Sequence, residues 1–124
     1  MEPTVLVIDD DPDLVRLMTK FLRLEGFAPV SASNGREALA YLQGGGDASV
    51  ILLDLRMPVM DGWAFRAAQR ADPRFEHIPV IVVSGVDVAS AIDALGAAAT
   101  FQKPANFVDV VKTVRALVAY QPNA

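Results

Sequence analysis

The most constraining feature of this chain is a set of three short, unbroken apolar runs, each closed by a polar residue. Val5-Leu-Val-Ile8 runs into Asp9-Asp10, Val50-Ile-Leu-Leu53 into Asp54, and Ile78-Pro-Val-Ile-Val-Val83 into Ser84. None of them alternates apolar with polar positions. Such a strand is covered on both faces, as central strands are in a parallel sheet flanked by helices. The runs are also far shorter than the roughly 18 apolar residues a membrane-spanning helix needs.

The intervening segments carry helical signals. Asp11 and Pro12 suit a cap and a first turn, apolar positions 14, 17, 18, 21, 22 and 24 recur with helical spacing, and Gly26 is a stop. Asn34-Gly-Arg-Glu37 reads as a capping box for a second helix ending at Gly44-Gly-Gly46. Asp61 caps a third helix to about Arg70, and a short fourth helix runs from about Val88 to Leu95, stopped by Gly96. Asn106 and Asp109 have cap spacing before a last helix with Val110, Val111, Val114, Leu117 and Val118 on its apolar side. Two less apolar segments, Ala28-Pro-Val-Ser-Ala32 and Thr100-Phe-Gln102, read as outer strands, and Pro29 suits an edge. The tail from Gln121 reads as frayed.

Five strands alternating with five helices predict an α/β fold. We expect a five-stranded parallel sheet with strand order 2-1-3-4-5 and helices on both faces, forming one domain over residues 1–124 with a core from about Thr4 to Val118. In that order the switch point lies between the first and third strands, where open sheets place their ligands. The carboxyl ends of those strands carry Asp9, Asp10 and Asp54.

Three converging carboxylates repel one another unless a cation neutralises them. An all-oxygen ligand set favours Mg²⁺, with Mn²⁺ as the alternative. Asp10 and Asp54 would bind directly, Asp9 directly or through water, and the backbone carbonyl of Arg56 is placed to join them. Ser84 and Lys103 end two further strands on the same sheet edge and add a hydroxyl and a positive charge. Taken singly, the acidic run reads equally well as a solvated cap, Ser84 as a turn residue and Lys103 as a surface lysine; their shared sheet edge is what favours a site. The chemistry that these groups support is phosphoryl transfer, with Asp54 attacking phosphorus in line to form an acyl phosphate. Lys103 and Ser84 would hold the other phosphoryl oxygens. His77, the sole histidine, precedes the strand that Ser84 ends and falls at the opposite end from the site.

The remaining composition narrows the class. The formal charge is −4 and the eleven basic residues are scattered, so a nucleic-acid footprint is missing. The absence of cysteine excludes thiol chemistry and cysteine-based zinc sites, and fits a reducing compartment. No signal peptide is recognisable at Met-Glu-Pro-Thr, and a cytoplasmic location is expected.

Four ordered motifs, Val-Leu-Val-Ile-Asp9-Asp10-Asp11-Pro, Leu-Leu-Asp54-Leu-Arg-Met-Pro-Val-Met-Asp-Gly62, Val-Val-Ser84-Gly85 and Lys103-Pro104, carry a family resemblance. The sequence resembles a receiver domain of the two-component response-regulator family, with the flavodoxin-like fold of the bacterial chemotaxis receiver. The resemblance implies that Asp54 is the phosphoacceptor, charged by a sensor histidine kinase or a histidine phosphotransfer protein. It implies Mg²⁺ on Asp9, Asp10, Asp54 and the Arg56 carbonyl, Ser84 as a switch hydroxyl, Lys103 as the lysine of the family pattern, and a cis bond before Pro104. It also implies self-dephosphorylation rather than enzymatic turnover, and a monomer or a weak phosphorylation-dependent dimer. No DNA-binding or catalytic segment fits after Val118, so output is expected from a separate protein, or from a neighbouring segment if the chain is a fragment. No upstream segment is expected before Met1.

Three departures from the pattern stand out. Thr100 occupies the place of the family's switch aromatic, and the adjacent Phe101 points to the opposite face and is expected in the core. Ser84 and Lys103 are 19 positions apart, about three fewer than in many relatives and close to one helical turn, so the fourth helix is expected to be short. The stretch Val86–Ala99 has only two charges, Asp87 and Asp93, which suggests a more apolar partner surface. Arg56 and Val86 sit where relatives tune water access, and neither orients a water well, so slow self-hydrolysis is expected. The alternatives are a phosphorelay intermediate passing the group onward, a partly degenerate receiver acting as a scaffold, and a small Asp-based phosphatase. The last lacks its second aspartate, since Arg56 stands two residues after Asp54. Among the aromatics, Trp63 reads as partial core packing or a partner contact, and Tyr41 and Tyr120 as helix-face residues.

Overall fold

The computed structural model describes residues 2–86, 89 and 91–120. The elements follow one another as β1 (Thr4–Ile8), α1 (Pro12–Leu24), β2 (Ala28–Ala32), α2 (Gly35–Gln43), β3 (Val50–Leu53), α3 (Gly62–Arg70), β4 (Val80–Ser84), α4 (Ala91–Leu95), β5 (Ala99–Gln102) and α5 (Phe107–Ala119). The sheet is five-stranded and all its pairings are parallel, in the order β2-β1-β3-β4-β5. The expected order and the short fourth helix are both present. The expected start of that helix at Val88 and the tail from Gln121 lie outside the described residues.

Every residue of β3 and β4 is buried, as the unbroken apolar runs require. Side chains of β1, β3 and β4 divide between two clusters, one on each face. Leu6, Ile8, Ile51, Leu53, Val80 and Val82 pack with Ala38 and Leu42 of α2, Phe65 of α3 and Leu95 of α4. Val5, Val7, Val50, Leu52, Ile81 and Val83 pack with Met18 and Leu22 of α1 and Val110, Val111 and Val114 of α5. Phe101, partly buried, packs against the second cluster, on the core side as expected. Thr100 is half-buried, and the alternation of β5 turns it to the other face.

The caps follow the sequence, with two differences. Asp11 accepts from the amides of Asp13 and Leu14, and Asp61 from Ala64. Asn34 accepts from the Glu37 amide at 2.9 Å, but the Glu37 carboxylate returns to the amide and hydroxyl of Ser33, at 2.9 and 2.8 Å. The box thus closes one residue early, because Ser33 offers two donors and Asn34 only one backbone amide. These bonds lower the Glu37 pKa. At α5, Asn106 accepts from Val108, two residues on, rather than from Asp109. β4 begins at Val80 rather than Ile78, since Pro79 has no amide to add to a ladder. Tyr41 is more than a helix-face residue: its hydroxyl donates to the Asp47 carbonyl at 2.7 Å, and its ring lies against Gly46, where a Cβ would come within 2.5 Å of ring carbons.

Among the described residues one position other than glycine has a positive φ. Val59 has φ +72°, and the Met60 amide closes a γ-turn onto the Pro58 carbonyl at 2.8 Å. A β-branched residue rarely adopts this conformation. Its side chain is 72% exposed, so little packing offsets the strain. Val59→Asn is therefore expected to stabilise the fold by ~1 kcal/mol, read as a higher urea midpoint. A lower midpoint would mean that the valine side chain contributes packing after all.

Candidate functional site

The ends of β1, β3, β4 and β5 bring Asp9, Asp54, Ser84 and Lys103 together. Local pairing places them: the Asp54 amide donates to the Ile8 carbonyl at 3.0 Å, and the Lys103 amide to the Ser84 carbonyl at 2.9 Å. Asp9, Asp54 and Ser84 are buried and Asp10 is exposed. One carboxylate oxygen from each of Asp9, Asp10 and Asp54 lies within 4.8 Å of the others.

Hydrogen bonds fix the orientation of the two buried carboxylates. The Ser84 hydroxyl donates to Asp54 Oδ1 at 2.8 Å and accepts from the Leu55 amide at 3.4 Å. The Arg56 amide approaches the same Asp54 oxygen at 3.4 Å. Lys103 Nζ lies 2.8 Å from Asp9 Oδ2 and 3.5 Å from Asp54 Oδ2. The lysine thus sits closer to Asp9 than to Asp54. Asp9 Oδ1 accepts from the Asp11 amide at 2.9 Å. The Lys103–Pro104 bond is cis.

Three carboxylates and one ammonium leave two negative charges in excess at this sheet edge. Burial pushes the Asp9 carboxyl above its ordinary pKa and the Asp54 charge adds to this; the hydrogen bonds from Lys103 and the Asp11 amide oppose it without cancelling it. Burial acts against the Lys103 ammonium, but its bond to Asp9 and the charges of Asp9 and Asp54 outweigh it, so its pKa is raised. The Asp9 shift is thus mainly one of burial, and the Lys103 shift one of the carboxylates around it. A divalent cation matches the excess negative charge, and the donor chemistry is all oxygen.

Two clefts open beside these groups. One of about 460 Å³ is lined by Asp54, Arg56, Gly85, Val86 and Lys103. Another of about 780 Å³ runs over Asp10, Arg56, Met57, Asp61, Trp63 and Val86. Trp63 is 41% exposed there, and Met57 packs against the first core cluster. Exposed His77 precedes β4, at the end of the sheet away from the site.

The sequence reading missed a buried polar network behind the site. Arg66 and Gln69 of α3 are 7% and 0% exposed. Arg66 Nε donates to the Leu95 carbonyl at 2.8 Å, NH1 to Gln69 Oε1 at 2.7 Å, and NH2 to the Gly96 carbonyl at 3.1 Å. Gln69 Nε2 donates to the carbonyls of Phe75 and Ile78, each at 3.0 Å. Burial, with the Arg70 charge, lowers the Arg66 pKa. The signal was helical spacing: with Gly62 and Phe65, positions 66 and 69 fall on one face.

With this geometry described, the likeness to known proteins is extensive. The sequence pattern of the response regulator receiver domain matches residues 5–115. The C4-dicarboxylate transport transcriptional regulatory protein DctD of Rhizobium meliloti is 41% identical over 95 residues, covering 75% of this chain and 20% of that protein. The transcriptional regulatory protein PrrA of Mycobacterium tuberculosis is 38% identical over 120 residues, covering 94% of this chain and 50% of its own length. The chain therefore spans half or less of the length of these relatives. The response regulator protein TrrA from Thermotoga maritima, solved in complex with Mg²⁺-BeF, superposes with a TM-score of 0.81 at 26% identity, covering 93% of this chain and 98% of that one.

Proposed function

Because this chain belongs to the response regulator receiver domain family, we propose that it takes a phosphoryl group from a phosphohistidine onto Asp54 and changes its protein-binding surface in consequence. The observation that carries the reading is the environment of Asp54. Its carboxylate is buried at the junction of β1 and β3, held at Oδ1 by Ser84, and flanked by Asp9, Asp10 and Lys103. The donor is a histidine kinase or a histidine phosphotransfer protein, and the responding surface acts on a separate output segment or protein. The unit is one receiver domain across residues 1–124.

The step is a displacement at phosphorus. Asp54 Oδ2 is free of any hydrogen bond from Ser84, and it forms the new O–P bond while the bond from phosphorus to the donor imidazole breaks. Ser84 keeps Asp54 Oδ1 oriented, so the carboxylate presents one oxygen to the open cleft. Lys103 is near enough to both Asp9 and Asp54 to transfer its contact to an incoming phosphoryl oxygen. Asp9, Asp10, Asp54 and the Arg56 carbonyl would hold Mg²⁺, which when bound supplies neutralisation of phosphoryl charge. Self-dephosphorylation removes the group slowly, since Val86 is apolar and Arg56 has donors but no acceptor to orient or deprotonate an attacking water.

The complete acceptor set favours this reading over a scaffold that has lost its chemistry. The test is incubation with acetyl phosphate and Mg²⁺, followed by intact-mass measurement and peptide mapping. One phosphate adduct on the peptide containing Asp54 is expected; an adduct mapped elsewhere, or none, would overturn the assignment. Cation binding has its own readout, because Trp63, the sole tryptophan, shares a cleft with Asp10. A Mg²⁺ titration should change Trp63 emission, and Asp10→Asn should weaken the apparent affinity ~10-fold or more. An unchanged affinity would remove Asp10 from the ligand set.

A further inference from the structure

Arg66 is a buried guanidinium, and no carboxylate pairs with it among the described residues. Besides Gln69, its donors go to the carbonyls of Leu95, which ends α4, and of Gly96, just past it. A helix C-terminus carries partial negative charge and unsatisfied carbonyls, so a cation placed there caps it. α4 has only five residues, too short to hold itself together. The Arg66 side chain therefore supplies from α3 what α4 lacks in length.

The cap and the acceptor cleft border the same core cluster. Leu95, whose carbonyl Arg66 holds, is buried in the same cluster as Phe65, and Val86 packs against that cluster. Val86 also lines both clefts beside Asp54. On the reading that Asp54 is the phosphoacceptor, we propose that Arg66 is a positioning residue for the lifetime of the acyl phosphate. By fixing Leu95 and Gly96 it keeps Val86 seated over the cleft and restricts water there. The reaction it slows is hydrolysis: a water oxygen bonds to phosphorus, the bond between phosphorus and Asp54 oxygen breaks, and Asp54 carboxylate and inorganic phosphate result. Arg66 touches none of the reacting atoms.

The test measures adduct decay by intact mass, after acetyl phosphate is removed, in the full chain. Arg66→Met keeps an apolar stem reaching about as far as Nε and removes the guanidinium. We expect it to form the adduct at a rate within about twofold of wild type and to lose it at least threefold faster. Val86→Ala should accelerate decay similarly, and the double variant should decay no faster than the faster single one, since both changes act on the same seat. Arg66→Lys, which keeps the charge but lacks the planar fork that meets Leu95, Gly96 and Gln69 together, should fall between Met and wild type, and it supplies the comparison if the Met variant does not fold. Amide exchange should rise in residues 95–98 and stay unchanged in β1 and β3. Equal lifetimes in a folded variant, additive effects, or exchange raised throughout the sheet would overturn the proposal while leaving Asp54 as acceptor. No adduct in wild type would instead overturn the acceptor assignment, and the proposal with it.

Discussion

Asp54→Asn is expected to leave a folded protein that gains no phosphate from acetyl phosphate and Mg²⁺. An amide can still accept the Ser84 hydroxyl bond through its oxygen, so the contact at 2.8 Å has a replacement. It cannot supply the anionic oxygen that attacks phosphorus. The same change removes one of the crowded negative charges. Asp9, held above its ordinary pKa by burial and then by the Asp54 charge, should titrate lower in the variant. Without cation, the variant should therefore be at least as stable as wild type, with a gain of ~1 kcal/mol set by the relief of like-charge repulsion. Intact mass reads the first outcome, and urea unfolding in the presence of a chelator reads the second. An adduct that survives the substitution would place the acceptor elsewhere. A large loss of stability would mean that Asp54 is held mainly as a partner for Lys103.

The second large effect is structural. Gly62→Val should destabilise the fold by about 3 kcal/mol, the upper end of overpacking in a dense interior. Gly62 opens α3 where the helix meets the backbone of the acceptor strand. A Cβ there would collide with the Asp54 carbonyl oxygen and come within 2.8 Å of Leu55 Cα. These are backbone atoms, which cannot rotate away as a side chain does. The Gly62 amide also donates to the Leu55 carbonyl at 3.0 Å, so retreat of the helix would break a buried bond. Displacement of residues 54–62 would disturb the cleft as well, and adduct formation should slow together with the fall in urea midpoint. A midpoint within about 0.5 kcal/mol of wild type would show that the loop absorbs the extra carbons.

Several features of this protein follow from local sequence alone. Continuous apolar runs identify strands covered on both faces, and their ends locate Asp9, Asp10 and Asp54 without reference to any contact. Asp11, Asn34, Asp61 and Asn106 announce helix starts because a cap bonds only within its own first turn. The gradient of apolarity makes β1, β3 and β4 central and is matched by the order β2-β1-β3-β4-β5, which brings the carboxylates to one edge. Short-range rules locate these elements, although the exact cap partners at Glu37 and Asn106 differ from the spacing.

Other features depend on groups far apart in the chain, and only the tertiary structure decides them. The Ser84 hydroxyl reaches Asp54 across 30 positions, and Lys103 reaches Asp9 across 94. The sequence puts these residues at strand ends but not at 2.8 Å, nor does it set Lys103 nearer to Asp9 than to Asp54. Arg66 and Gln69 look like ordinary polar positions on α3, since a buried guanidinium is intelligible only once the carbonyls that receive it are in place. Those carbonyls belong to the end of α4, 29 and 30 positions away. The sequence thus determined that three carboxylates meet where the strand order reverses. The packing of α3 against α4 decided where Arg66 and Gln69 find their partners, because burial makes each polar group find its partner wherever the fold provides one.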